Sequence, residues 1–243
     1  YTWYPKIYLD NIIRYAHHCI VCSEAVKDSF RDIGFEKTSV LHNFIDTHKI
    51  DNLRNRRISR QELGINQDEF IWLISGHTNY WKGIQYLPAI LKQLEGEKFR
   101  IIWVGRELDD AFYYYIKLIL EQKYPNKVIF TGIQTDKYYD YFALADGFLV
   151  LSLQESFSLV AMEASYFSLP IVSFEYGAAK EVLAGTTAQI IELFDVELFV
   201  QAMRKVMHEE LINVKKELNK NIPFDKAQQV RRFNQLLQDL TDF

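Results

Sequence analysis

Short, almost wholly apolar runs recur through the middle of this chain, spaced so that one helix fits between each pair. Phe70–Ser75, Phe99–Val104 and residues 127–131, 147–151 and 170–173 each have the length of a strand. The clearest of them lack the apolar–polar alternation of a strand with one wet face, so both faces must be covered. Residues 84–94, 108–122, 136–144 and 157–167 between them read as helices, the third capped by Thr135 or Asp136. A short helix over 179–183, a last strand over 188–191 and a helix over 196–207 complete the series. Strands alternating with helices at this spacing imply right-handed βαβ units, hence a doubly wound parallel sheet.

Both ends add helices. The opening, to about residue 36, reads as an aromatic patch over 1–8, a strand over 17–22 and a helix from Ser23 closed by Gly34. Residues 38–42 form another strand, and 43–55 read as a polar, irregular linker. The tail over 211–243 is helical by composition, with Pro223 breaking it in two.

A net charge of −4 and a pI near 5.9 argue against a nucleic-acid partner held by phosphate neutralisation. No apolar run approaches the ~18–20 residues that span a bilayer. Cys19 and Cys22 have no second ligand pair, so metal binding is not expected; two reduced thiols suit a cytoplasmic protein.

Ligands of open α/β sheets sit beyond the carboxyl ends of the strands. Four such loops carry distinctive residues. Gly76 to Gly83 combines two turning glycines with Lys82, a cation suited to phosphate. Gly105-Arg106 and Gly132-Ile133 offer close backbone approach. The fourth, Gln154 to Leu159, ends a strand and opens a helix, so the N–H groups of Ser158 and Leu159 are candidate anion donors. Glu155 lies in that loop and Glu163 inside the apolar helix behind it, where a carboxylate faces desolvation worth several kcal/mol unless something compensates it. A carboxylate so placed can accept a pair of ribose hydroxyls.

The run Glu155-Ser-Phe-Ser-Leu-Val-Ala-Met-Glu163 resembles the Glu-x7-Glu signature of group-1, family-four retaining glycosyltransferases of the two-domain GT-B fold. Val40 to Asp46, Gly76 to Gly83, Ile129 to Gly132, Leu169 to Val172 and Gly177 to Glu181 resemble further segments of that family in the same order. The resemblance covers roughly residues 16–205. It implies a Rossmann-like C-terminal half binding a nucleoside-diphosphate sugar, with no metal or other cofactor required. Lys82, with Gly76, His77 and the amides at Ser158 and Leu159, would hold the diphosphate. Phe157 lies inside the same donor-binding motif. Glu163 would bind the ribose, Gly132 and Ile133 would line the base, and Glu155 would contact the donor sugar and steady developing charge; Glu155 and Lys82 are the candidate catalytic pair.

The chain departs from the family pattern at His77, where the family has arginine, and at Ser156, Ser158, Ser168 and Ala178, where it has glycine. The resemblance further implies that residues 1–45 are the end of an N-terminal acceptor domain and its linker. Residues 46–210 would be the donor domain, and 211–243 helices that cross back. Tyr1 rather than Met at the start fits an excised part of a longer polypeptide, inactive alone. The acceptor would be a glycan or lipid-linked saccharide reached through the N-terminal domain, at the cytoplasmic face of a membrane if the contact is peripheral. A decayed nucleotide-sugar-binding domain and a sugar-nucleotide epimerase on a related scaffold are the alternatives.

Overall fold

The computed structural model describes residues 6–53, 58–208, 219 and 224–241. They fall into two compact units, one of residues 1–44 with 224–243 and one of residues 45–223. The aromatic opening over 1–5 and most of the expected tail before Pro223 lie outside the described residues.

In the smaller unit, helix α1 (Lys6–Tyr15) precedes a single βαβ motif: β1 (Cys19–Val21), α2 (Glu24–Asp32) and β2 (Thr38–Val40), the strands pairing in parallel. Ser23 caps α2 by accepting the Val26 N–H at 3.2 Å. The last helix of the chain, α10 (Lys226–Thr241), belongs to this unit, where Arg232 Nε donates to the Val40 carbonyl at 2.9 Å.

The larger unit opens with a helix where a linker is expected. α3 (Thr47–Leu53) forms because Asp46 accepts the Lys49 N–H at its start and Ile50 is buried. Tyr166 anchors it further by donating to Asp51 at 2.9 Å. The polar composition of the segment concealed one buried anchor and one cap.

Six parallel strands follow: β3 (Phe70–Ser75), β4 (Phe99–Val104), β5 (Val128–Phe130), β6 (Gly147–Val150), β7 (Ile171–Phe174) and β8 (Gln189–Ile191). Their order is β5-β4-β3-β6-β7-β8, so the chain runs outward from β3 to one edge and then returns to lay β6 on the other side of β3. In open α/β sheets such a reversal marks a crevice outside the carboxyl ends of the two strands, here β3 and β6, as the ligand site. At the opposite ends the same pair is fixed by Asp146, which accepts both the Ile71 N–H at 2.9 Å and Arg60 at 2.6 Å.

Alternate strand residues serve opposite faces. Phe70, Trp72, Ile74, Phe99, Ile101, Trp103, Leu149 and Val172 pack under α4 (Leu87–Gln93), α5 (Ala111–Lys123) and α9 (Val196–His208). The other parity carries Phe148, stacked on Phe142 of α6 (Tyr138–Leu144), and Phe142 meets Phe167 just past α7 (Leu159–Tyr166). A four-residue helix α8 (Ala179–Val182) follows β7. Both faces are thus covered, as the unbroken apolar runs require.

Several helices begin later than their sequence pattern. α7 starts at Leu159 rather than 157, because Ser158 holds φ 74 and breaks the helical path. Its other end is a Schellman closure, with Leu169 N–H to Ala164 O and Ser168 N–H to Ser165 O, and Ser168 at φ 53. α6 starts at Tyr138 without a side-chain cap, α5 at Ala111 capped by Asp110, and the segment from Ile84 opens as a 3-10 turn before α4.

Candidate active site

On the β3 side of the crevice, the ends of β3, β4 and β5 are tied together by backbone in close contact. Three glycines prolong the strand ends: Gly76 N–H reaches Val104 O at 2.9 Å, and Gly105 N–H reaches Gly132 O at 3.0 Å. Trp103 Nε1 donates to Gly76 O at 2.9 Å. The side chain of Lys82 lies along Gly76, whose hydrogen leaves room for the aliphatic stem. Lys82 ends a 3-10 turn (Tyr80–Lys82) that Asn79 caps by accepting the Lys82 N–H at 2.9 Å. The turn is pressed onto the far wall, where Leu153 N–H donates to Trp81 O at 2.8 Å.

Lys82 Nζ bonds Glu155 Oε1, and Ser152 Oγ donates to the same oxygen at 3.0 Å. Glu155 comes from the loop after β6 and Lys82 from the loop after β3, so the fold joins the two candidate catalytic residues across the topological switch. The pair is part-buried and neutral as a unit. An incoming diphosphate is the stronger anion for Lys82 and would leave Glu155 free to accept hydroxyls.

Glu163 is compensated by phenols and forms no ion pair among the described residues. Tyr138 donates to Oε2 and Tyr139 to Oε1, each at 2.9 Å. Ser75 Oγ lies 2.8 Å from the Tyr138 hydroxyl, and strand parity puts Ser75 on the α6–α7 face. Burial pushes the Glu163 carboxyl above its ordinary value, while the two phenols and the charge of Lys49 pull it back. Burial, and then the adjacent Glu163 charge, push both phenols well above the ordinary tyrosine range, so they stay protonated donors. A carboxylate oxygen accepting one phenol retains lone-pair capacity for a ribose hydroxyl. Ser75 and Gly76 are consecutive, which joins the Glu163 cluster to the Lys82–Glu155 pair.

The other expected residues distribute as follows. The N–H groups of Ser158 and Leu159 donate to no backbone carbonyl among the described residues. Leu159 is largely exposed, whereas the Phe157 ring is buried in the core, leaving its main chain to the loop. Gly132 and Ile133 lie two strands away at the end of β5, and Ile133 is 68% exposed. His77 is exposed beside the buried Thr78, which ties the loop to β4 by donating its N–H to Arg106 O at 3.0 Å.

Sequence reasoning missed Tyr138, Tyr139, Ser75 and Ser152, all ordinary residue types for a helix or strand end. It also missed Tyr176, a buried phenol after β7. Its hydroxyl and that of Ser158 are without a well-formed hydrogen bond among the described residues. Burial pushes the Tyr176 phenol up; neighbouring Ser158 eases this and the charge of Glu155 adds to it. The one usable signal was Glu163 itself, a carboxylate in an apolar helix that needed donors.

Residues 55–223 match the family model described as glycosyl transferases group 1. Alpha-galactosylglucosyldiacylglycerol synthase of Streptococcus pneumoniae (strain ATCC BAA-255 / R6) is 27% identical over 227 residues, covering 87% of this chain and 60% of that protein. Among solved structures, sucrose-phosphate synthase from Thermosynechococcus elongatus superimposes with a TM-score of 0.79 at 21% identity, over 98% of this chain and 62% of that one. HepE from Anabaena, solved in complex with UDP and glucose, gives 0.77 at 22% identity, over 98% and 66%. The chain spans 39% to 60% of the curated relatives it matches. With a parallel sheet of the GT-B type and a family match over most of its length, this chain belongs to the group 1 glycosyltransferases.

Proposed function

We propose that this chain is the donor-binding half of a retaining glycosyltransferase that moves a sugar from a nucleoside-diphosphate sugar to a glycan or lipid-linked acceptor. The observation that carries the reading is the Lys82–Glu155 pair across the β3–β6 crevice, with Glu163 held by two phenols one residue away along β3. In the donor complex the diphosphate takes Lys82 together with the amides at Ser158 and Leu159, and Glu163 accepts the ribose hydroxyls. Glu155, released from Lys82, accepts hydroxyls of the sugar and steadies the cationic sugar as the bond to phosphate breaks. The departing phosphate oxygen receives the acceptor proton on the face where the new bond forms, which retains configuration. Such chemistry rests on positioning and on stabilising diphosphate charge. The UDP and glucose bound by HepE and the lipid product named for the pneumococcal relative support the donor and acceptor classes.

No described helix is long and apolar enough to cross a membrane. A lipid-linked acceptor would be met by peripheral contact at the cytoplasmic face. In this reading the acceptor is bound outside the donor-binding half. The purified 243-residue chain is therefore expected to bind a nucleoside diphosphate without transferring sugar. The longer protein is expected to give a product whose anomeric proton coupling matches the donor's. Robust transfer by the chain alone would refute the division of labour, and an inverted anomer would refute the mechanism.

A further inference from the structure

The Lys82–Glu155 pair leaves the crevice without net charge, and a diphosphate is multiply anionic. A second cation at the same strand ends would strengthen binding, because anion affinity in a part-buried site rises with the uncompensated positive charge facing it. His77 stands at that place but histidine as a residue type is only partly charged near neutrality. On the adjacent strand end stands a permanent cation, Arg106.

Two hydrogen bonds and one close approach fix Arg106 beside His77. Thr78, buried, donates its N–H to Arg106 O at 3.0 Å, and its hydroxyl in turn accepts the Leu108 N–H at 2.9 Å. Gly105, at φ 146, packs so tightly on Gly76 that an added Cβ would lie 2.1 Å from Gly76 O. The two loops are therefore tied together, with the residue next to His77 bonded to the main chain of Arg106. The acids near Arg106 are engaged elsewhere. Glu107 accepts from Tyr113 and from Lys117 at 3.0 Å; Asp109 accepts from Tyr114 at 3.1 Å; Asp110 caps α5. Arg106 itself is exposed and forms no side-chain ion pair among the described residues.

From this arrangement we infer that Arg106 is a donor-binding residue, supplying from β4 the permanent positive charge that the His77 position of the β3 loop lacks. It contacts the diphosphate rather than the base or the sugar, and its guanidinium can bind two phosphate oxygens at once. The inference rests on the donor-site reading above and adds a residue to it.

The test is titration of UDP, GDP and ADP, with the matching nucleosides, into the purified chain and into Arg106→Ala, Arg106→Lys, Lys82→Ala and the double variant Arg106→Ala/His77→Arg. Melting curves confirm that each is folded. For the diphosphate that binds the parent, Arg106→Ala is expected to weaken affinity about tenfold or more, with nucleoside affinity within about twofold of the parent. Arg106→Lys should lie between, and the double variant should regain most of the loss. Arg106→Ala binding the diphosphate like the parent, while Lys82→Ala loses it, would overturn the role of Arg106 and leave the donor site standing. An equal loss for nucleoside and diphosphate would place Arg106 at the base or ribose and overturn the proposal, as would a double variant no better than Arg106→Ala. A parent chain that binds no diphosphate would overturn the donor site and this inference with it.

Discussion

Gly83→Ala is expected to lower the melting temperature by roughly 6–20 °C. Gly83 sits at φ 79, where an L side chain is strained, and an added Cβ would lie 2.0 Å from the Leu151 carbonyl oxygen. Neither backbone can yield easily, since Leu151 continues the buried β6 and Gly83 closes the 3-10 turn with its N–H on Tyr80 O. The same contact holds Lys82 against the loop of Glu155. The variant should accordingly lose diphosphate binding along with stability. Gly64→Ala is the control: φ there is 64, but nothing lies within 4 Å of the added carbon. Conformational strain alone should cost it about 1 kcal/mol. Melting curves showing similar losses for the two variants would contradict the close approach of the Lys82 turn to β6.

Glu163→Gln is expected to leave the fold intact and to weaken nucleoside-diphosphate binding about tenfold to a hundredfold. That is the range for losing hydrogen bonds to a charged group. Its effect on stability has a definite sign. Burial raises the folded carboxyl above its ordinary 4.5, so the folded chain binds this proton more tightly than the unfolded chain does. The stability this group contributes is complete below pH 4.5 and is lost as pH rises through the raised folded value. Once ionised, the buried carboxylate is a liability that Tyr138 and Tyr139 only moderate. The glutamine variant should therefore show a flatter melting profile as pH rises from 4.5 through the raised folded value, and match or exceed the parent above it. A steeper profile in the variant would contradict the desolvation argument. Parent-like binding would remove Glu163 from the ribose site.

The alternation of strands and helices was legible because a strand buried on both faces has to be continuously apolar, and Phe70–Ser75 and Phe99–Val104 are. The loops that meet at the crevice were legible because glycines and charged residues interrupt those runs at their carboxyl ends. Helix α3 was not, since one buried residue, Ile50, and the Asp46 cap sustain it within an otherwise polar segment. The start of α7 was misplaced because the run from Phe157 looks helical, while the left-handed backbone at Ser158 is fixed by tertiary packing. The partners of Glu163 were hidden for a related reason. They lie on α6, about twenty-five residues earlier, and become neighbours only when α6 and α7 pack on one face of the sheet. A tyrosine in an apolar helix reads as core until the carboxylate opposite it is known.

The proposed function rests on a nucleoside-diphosphate site at the β3–β6 crevice, built on Lys82 and Glu163. Calorimetric titration of UDP, GDP and ADP into the purified chain, with Lys82→Ala in parallel, tests it most directly. One diphosphate is expected to bind with one-to-one stoichiometry, and Lys82→Ala to weaken it at least tenfold while remaining folded. Heats that saturate equally in both proteins, or no saturation by any of the three at millimolar concentration, would contradict it.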